Sequence, residues 1–263
     1  MSSGLRYGDA PARRRAILGR LRASGFCGVS ELAGELQVSE MTVRRDLRTL
    51  EAGHQVRLVH GGASLPPDSL GVARFSSRAA SGDAAKREIA RAAAALIGPR
   101  DTIAVDAGTT AFQLARALPE DFAGCVVTHS VPVIQHMLSR PPVRVVGLGG
   151  DLYHPSQAFV GPTTVEMASS LRVRTVFLGA AALDERGIYC EADVERPTKR
   201  ALMSIADEVV LLVDHGKFAT SAPVLLCRYA DIGTLATDGP PPAAVTGALS
   251  AAGTRLLATG DGT

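Results

Sequence analysis

The chain has 263 residues, 46% of them hydrophobic and 21% charged, enough apolar material for one or two packed domains and far from a disordered or miniature chain. Twenty-eight basic against 26 acidic side chains leave a formal charge of +2, so affinity for a polyanion has to be local. The longest uncharged run, 122–139, holds Thr128, His129, Ser130, Gln135 and His136 and is too polar to span a bilayer.

Two further exclusions place the chain in a reducing cytoplasm. Arg20 and Arg22 interrupt the apolar stretch that an export signal opening at Arg13, Arg14 and Arg15 needs. Cys27, Cys125, Cys190 and Cys227 lie far apart with no Cys-x-x-Cys pair, a spacing that suits free thiols better than a zinc site or a disulfide frame. No metal or cofactor is expected.

The basic excess is N-terminal. Residues 1–65 carry ten arginines, no lysine and six carboxylates, an excess of +4, and the remainder is at −2. Ile17, Leu18 and Leu21 mark a first helix; Leu32, Ala33 and Leu36 mark a second with Ser30 as its expected N-cap; Gln37 and Val38 then connect tightly to Ser39. In the third helix, at about 100° per residue, Leu47 and Leu50 fall within about 40° of Val43, whereas Met41, Arg45 and Arg48 fall near the opposite side. One face is core and the other cationic, flanked by Thr42 and Arg44, with Ser39 positioned to cap the helix start. That is the equipment of a major-groove helix: Arg reads guanine O6 and N7, and short hydroxyls suit phosphate oxygens. Read alone, the arginines serve equally as a solvated face paired with Asp46 and Glu51. A strand over Gln55 to Val59, including Arg57, and a turn at His60, Gly61 and Gly62 add a wing beside the helix.

The stretch 64–85, with Pro66, Pro67, Gly71 and Gly82, reads as a linker. The expected organisation is therefore a DNA-reading domain over 1–64, a linker over 65–85 and a second domain over 86–263. There, strand candidates at 102–106, 125–128, 144–148, 175–178, 209–214, 232–236 and 255–258 alternate with helix candidates near 109–118, 131–139, 162–171, 195–206 and 241–251. This alternation predicts a parallel α/β sheet covered on both faces, with ligands at the carboxyl ends of its strands. The run from Thr102 to Thr110 ends a strand in a glycine and two hydroxyls and opens a helix, a ready anion cradle, although Thr109 is equally placed to cap that helix. Only Lys86, Lys199 and Lys217 accompany 25 arginines. Lys217, just past a strand end, suits a phosphate, and Lys86 is expected on a helix surface.

The run Ser39-Glu-Met-Thr-Val-Arg-Arg-Asp-Leu-x-x-Leu50, followed by His60-Gly-Gly-Ala63, resembles the signature of DeoR-type bacterial transcriptional regulators, with Gly53 one position early and Leu58 where a second Arg is frequent. The resemblance extends over nearly the whole chain. It implies a winged helix-turn-helix followed by a Rossmann-like, mostly parallel sensor domain similar in fold to ribose-phosphate isomerases and glucosamine-phosphate deaminases. It further implies a homo-oligomeric, dimeric or tetrameric repressor of carbohydrate genes that binds a duplex operator and a phosphorylated sugar or polyol. Carried over by position, Asp106, Gly108, Thr109 and Thr110 hold phosphate, and Thr128, Gly149, Gly150, Glu195, Lys199 and Lys217 line the rest. Family members often read Thr-Asn-Ser where this chain has Thr128-His129-Ser130. The acids of ribose-phosphate isomerases are replaced by the run Gly179 to Ala182 and by Thr198, so no catalytic residue is expected, the alternative being an isomerase or deaminase with a DNA-binding appendage.

Overall fold

A computed structural model describes residues 10–24, 26–53, 55–59, 61–64, 75, 77–79 and 81–259. The chain divides into two compact units, Met1–Ser77 and Arg78–Thr263.

The first unit runs α1 (Ala10–Ser24), β1 (Phe26–Gly28), α2 (Val29–Leu36), α3 (Glu40–Ala52), β2 (Arg57–Val59) and β3 (Gly62–Ser64). Ile17, Leu21, Leu32, Val43, Leu47 and Val56 pack into one core, as the 3.6-residue spacing predicts. Strand β3 pairs with both β1 and β2, all antiparallel, so the wing is a three-stranded sheet whose first strand sequence reading does not find. Val59 faces Gly62 across the hairpin, and Gly61 in the turn has φ +79°, a conformation that favours glycine. Two expectations are corrected here. Helix α2 starts at Val29 with Gly28 as N-cap and no side-chain cap bond; Ser30 lies inside its first turn and donates to Glu40 Oε1 at 2.6 Å. Asp46 does not partner the arginines of its own helix. It is buried and takes Arg13 Nε of α1 at 2.5 Å, because position 46 lies about 40° from Leu50 on the core side.

The second unit opens with α4 (Asp83–Ala94), which begins at a left-handed Gly82 (φ +63°) inside the stretch read as linker. Its buried apolar positions are Ile89, Ala90, Ala93 and Ala94; alanines give a faint apolar stripe, which is why the pattern hides the helix. The central sheet comprises β4 (Thr102–Val105), β5 (Cys125–Thr128), β6 (Arg144–Gly147), β9 (Val173–Gly179), β12 (Ala206–Leu212), β14 (Thr234–Thr237) and β15 (Arg255–Ala258). All neighbours are parallel, in the order β15-β14-β12-β9-β4-β5-β6. These are the seven strands expected from their apolar runs. Alternate residues feed two cores: Ala104, Val176, Leu178 and Leu211 one, Ile103, Val105, Phe177 and Val210 the other. Helices α4, α5 (Thr109–Arg116) and α6 (Val131–Met137) supply the second core; α7 (Pro162–Ser169), α8 (Arg196–Ser204) and α9 (Ala243–Ala252) supply the first. The hairpin β7 (Asp151–Tyr153)–β8 (Ala158–Val160) and the antiparallel sheet β10 (Ala182–Asp184), β11 (Gly187–Cys190), β13 (Val224–Cys227) are additions whose three- and four-residue strands are too short for periodicity to reveal. Strand order reverses between β4 and β9, the point at which parallel α/β sheets open a crevice.

Candidate functional site

Each unit carries a polar focus, and each is built from residues upward. In the first, Ser39 caps α3: its Oγ accepts the Thr42 amide at 3.2 Å and lies 2.9 Å from Thr42 Oγ1. With Val43 and Leu47 wholly buried, the helix turns Met41 (74% exposed), Arg44, Arg45 and Arg48 outward. Arg44 is tied to Glu40 one turn earlier at 3.2 Å. The guanidinium groups of Arg45, Arg48 and Arg57 have no ion-pair partner among the described residues, and all three are exposed. Arg44 and Arg48 meet Gly61 and Gly62 of the wing around a recess of about 160 Å³. Of the expected DNA-facing residues, the structure brings Arg44, Arg48, Gly61 and Gly62 around this recess; Met41, Arg45 and Arg57 are exposed, and His60 lies outside the described residues.

In the second unit a cavity of about 300 Å³ opens at the carboxyl ends of β4 and β9. Gly108, Thr109 and Thr110 form one wall where α5 begins; Glu195 and Lys199 come from α8 and the short helical turn before it, and Lys217 comes from the turn after β12. The first helical bond of α5 runs from Phe112 N–H to Gly108 O at 2.9 Å, so the preceding amides have no acceptor within the helix. No ion pair holds Lys217 among the described residues, whereas the other two lysines are committed. Lys86 is buried, not on the surface as expected, and donates to the carbonyls of Arg78 and Ser81.

Lys199 is held by Asp106. That carboxylate is fully buried directly under the cavity: Lys199 Nζ donates to its Oδ2 at 2.5 Å, the Gly179 amide donates to Oδ2 at 2.9 Å, and His129 Nε2 lies 3.1 Å from Oδ1. Burial works to raise the Asp106 pKa, but the Lys199 charge and the His129 contact overcome it and hold the carboxyl well below its ordinary range. For Lys199, burial works downward and the Asp106 charge, then Glu195, upward, with a net rise. Asp106 is therefore an anchor for Lys199 and not a cavity wall. His129, standing where the resemblance has Asn, extends the network: its Nδ1 lies 2.8 Å from Phe159 O in β8.

Three more expected residues, besides Asp106, do not reach the cavity. Thr128 braces adjacent strand ends, donating to Val105 O at 2.6 Å and accepting the Ser130 amide at 3.1 Å. Gly149 offers its carbonyl to Thr164 Oγ1 at 2.7 Å, and Gly150, at φ +146°, has no room for a Cβ beside Thr164. Both serve the turn into β7. Sequence reasoning misses Arg78 and Ser156, which line the cavity together with Glu191. Arg78 sits in the apparent linker and Ser156 in a hairpin without a periodic signal, so nothing local marks either.

Residues 82–239, more than half of the chain, match the family described as the DeoR C terminal sensor domain, and residues 13–68 match the DeoR-like helix-turn-helix domain. The chain belongs to the DeoR family of transcriptional regulators. Relatives of this DeoR-family chain include the glycerol-3-phosphate regulon repressor of Escherichia coli, 31% identical over 89% of this chain and 92% of that protein. Another is the transcriptional repressor AccR of Agrobacterium fabrum, 28% identical over 88% and 91%. Among solved structures, ribose 5-phosphate isomerase A of Methanocaldococcus jannaschii aligns at 18% identity over 52% of this chain and 55% of that one, with a TM-score of 0.39. No helix among the described residues is long and apolar enough to cross a membrane.

Proposed function

We propose that this DeoR-family regulator is a cytoplasmic, homo-oligomeric repressor of carbohydrate-metabolism genes whose operator affinity is set by a phosphorylated sugar or polyol in the second unit's cavity. The observation that carries the reading is that Lys217, without an ion-pair partner among the described residues, lines the same small cavity as the amides left unbonded at the start of α5, a cation and a helix N-terminus together. Phosphate binds there. Lys199, neutralised by Asp106, shapes the floor and contributes hydrogen bonding more than net charge. The name of the glycerol-3-phosphate regulon repressor is in keeping with an effector of this size and charge. At the other focus, α3 enters the major groove: Arg45, Arg48 and Arg44 reach base edges or phosphates, Ser39, Met41 and Thr42 flank them, and Arg57, Gly61 and Gly62 approach the backbone alongside His60.

The cavity is a sensor and not a catalytic site. Proton transfer between sugar carbons needs a positioned carboxylate base, and the wall at the end of β9 is Gly179, Ala180 and Ala181. Glu191 and Glu195 line the cavity on another side, so turnover is tested directly. Purified protein incubated with pentose, hexose and hexosamine phosphates is expected to give no isomerisation or deamination above the buffer rate. Turnover abolished by Glu195→Gln would establish an enzyme instead.

A further inference from the structure

The cavity holds three cations with different electrostatic states. Lys199 is compensated by Asp106, Arg78 is compensated by Glu191 at 3.2 Å, and Lys217 has no counter-ion among the described residues. A phosphate therefore gains most at Lys217, and at Arg78 it meets the Glu191 carboxylate as well. The region around Arg78 is built for something else. Its Nη2 donates to Pro155 O at 2.9 Å, its Nη1 to Glu191 Oε2, and its backbone carbonyl is gripped by Lys86. Its Nε is buried with no hydrogen-bond partner among the described residues. The Oγ of Ser156, next to Pro155 and in a residue only 5% exposed, is likewise unpartnered, and both residues line the cavity. Leaving two such groups unpaired is costly, so a ligand that draws them toward the cavity gains the hydrogen bonds they lack.

We infer that Arg78, Ser156 and Glu191 form a hydroxyl-reading subsite that recognises the polyol part of the effector, opposite the phosphate-binding start of α5. A sugar hydroxyl both donates and accepts; Arg78 Nε and Ser156 supply donors, and the Glu191 carboxylate supplies the acceptor. Charge balance at the Arg78–Glu191 pair suits an uncharged group. This rests on the phosphate-sensing reading above and adds which residues distinguish one sugar phosphate from another.

The test is calorimetric titration of the full chain with inorganic phosphate and, separately, with glycerol 3-phosphate, ribose 5-phosphate, fructose 6-phosphate and glucitol 6-phosphate. Wild type is expected to bind at least one of the four more tightly than inorganic phosphate. Arg78→Met and Ser156→Ala should each lose that advantage, by about 10- to 100-fold for Arg78→Met, while inorganic phosphate binds as in wild type and so reports an intact fold. Arg78→Lys, which keeps the charge but not Nε–H, should not restore it. Lys217→Ala should weaken inorganic phosphate and the organic phosphates together. If Arg78→Met and Ser156→Ala leave the advantage intact, or reduce inorganic phosphate equally, the subsite is refuted while phosphate sensing stands. If wild type binds none of the five, or Lys217→Ala changes nothing, phosphate sensing itself falls.

Discussion

Asp106 shows how one buried side chain sets the chemistry of a site it does not line. Removing its charge leaves the Lys199 ammonium buried without a counter-ion, so Asp106→Asn is expected to destabilise the second unit by about 3 to 5 kcal/mol in urea unfolding. Adding Lys199→Met should recover a large part of that loss, and a double variant as unstable as the sum of the singles would dissolve the proposed pairing. The sign with pH follows from the direction of the shift: Asp106 is depressed in the folded state, so its contribution is complete above the ordinary carboxyl range and is lost as pH falls below about 4. Unfolding midpoints of wild type should drop more steeply from pH 5 to 3 than those of the double variant. The pair between exposed His215 and the largely covered Asp238, 2.7 Å apart, behaves in the opposite sense. Its hydrogen bond to Asp238 raises the His215 pKa above the ordinary imidazole value, so its stabilisation is present at acid pH and fades as pH rises through that shifted value. An NMR titration of Asp238→Asn should move the His215 midpoint down; an unmoved midpoint would show that the pair is not formed. At this scale the sequence is least legible. The motif around Asp106 and Thr110 marks the cradle, yet whether a residue lines the cavity or braces it, as Asp106 and Thr128 do, depends on contacts from β9, α8 and β8 that lie far away along the chain.

At the scale of elements, helix α3 was legible because local rules agree: a serine cap, an apolar stripe at Val43, Leu47 and Leu50, and charge on the remaining surface. The seven parallel strands were legible because each is a short apolar run, largely buried in the five interior strands and part-exposed in the edge strands β6 and β15. What escaped reading were α4, whose stripe is mostly alanine, and the short antiparallel strands, whose pairing is set by partners distant in sequence, such as Cys27 with Ala63 and Tyr189 with Leu225. Ser39→Ala should cost about 1 kcal/mol through the lost cap, and Leu47→Ala about 2 to 5 kcal/mol through a core cavity; both are read by thermal or urea unfolding of the first unit. Arg45→Ala touches neither cap nor core, so stability should be unchanged while operator binding weakens by about 1 to 3 kcal/mol and binding to random duplex falls less. Equal losses on both duplexes would assign Arg45 to a phosphate instead of a base.

At the scale of the whole molecule, two units with separate cores carry separate polar foci, one cationic and outward, one concave and mixed in charge. A regulator requires that they communicate, and communication is a coupling free energy: the effector must bind the DNA-competent and incompetent arrangements unequally, typically by about 1 to 3 kcal/mol. Chain order puts Arg78, a cavity residue, at the first position of the second unit. The most direct measurement is the affinity of the full chain for an operator selected by the protein itself from random duplexes, titrated with and without a saturating sugar or polyol phosphate. The expected result is a selected operator bound more tightly than random duplex, an affinity that changes by about 5- to 150-fold when the effector is added, and a Lys217→Ala response displaced to higher effector concentration. An operator affinity identical with and without a phosphate that calorimetry shows to be bound would contradict the account.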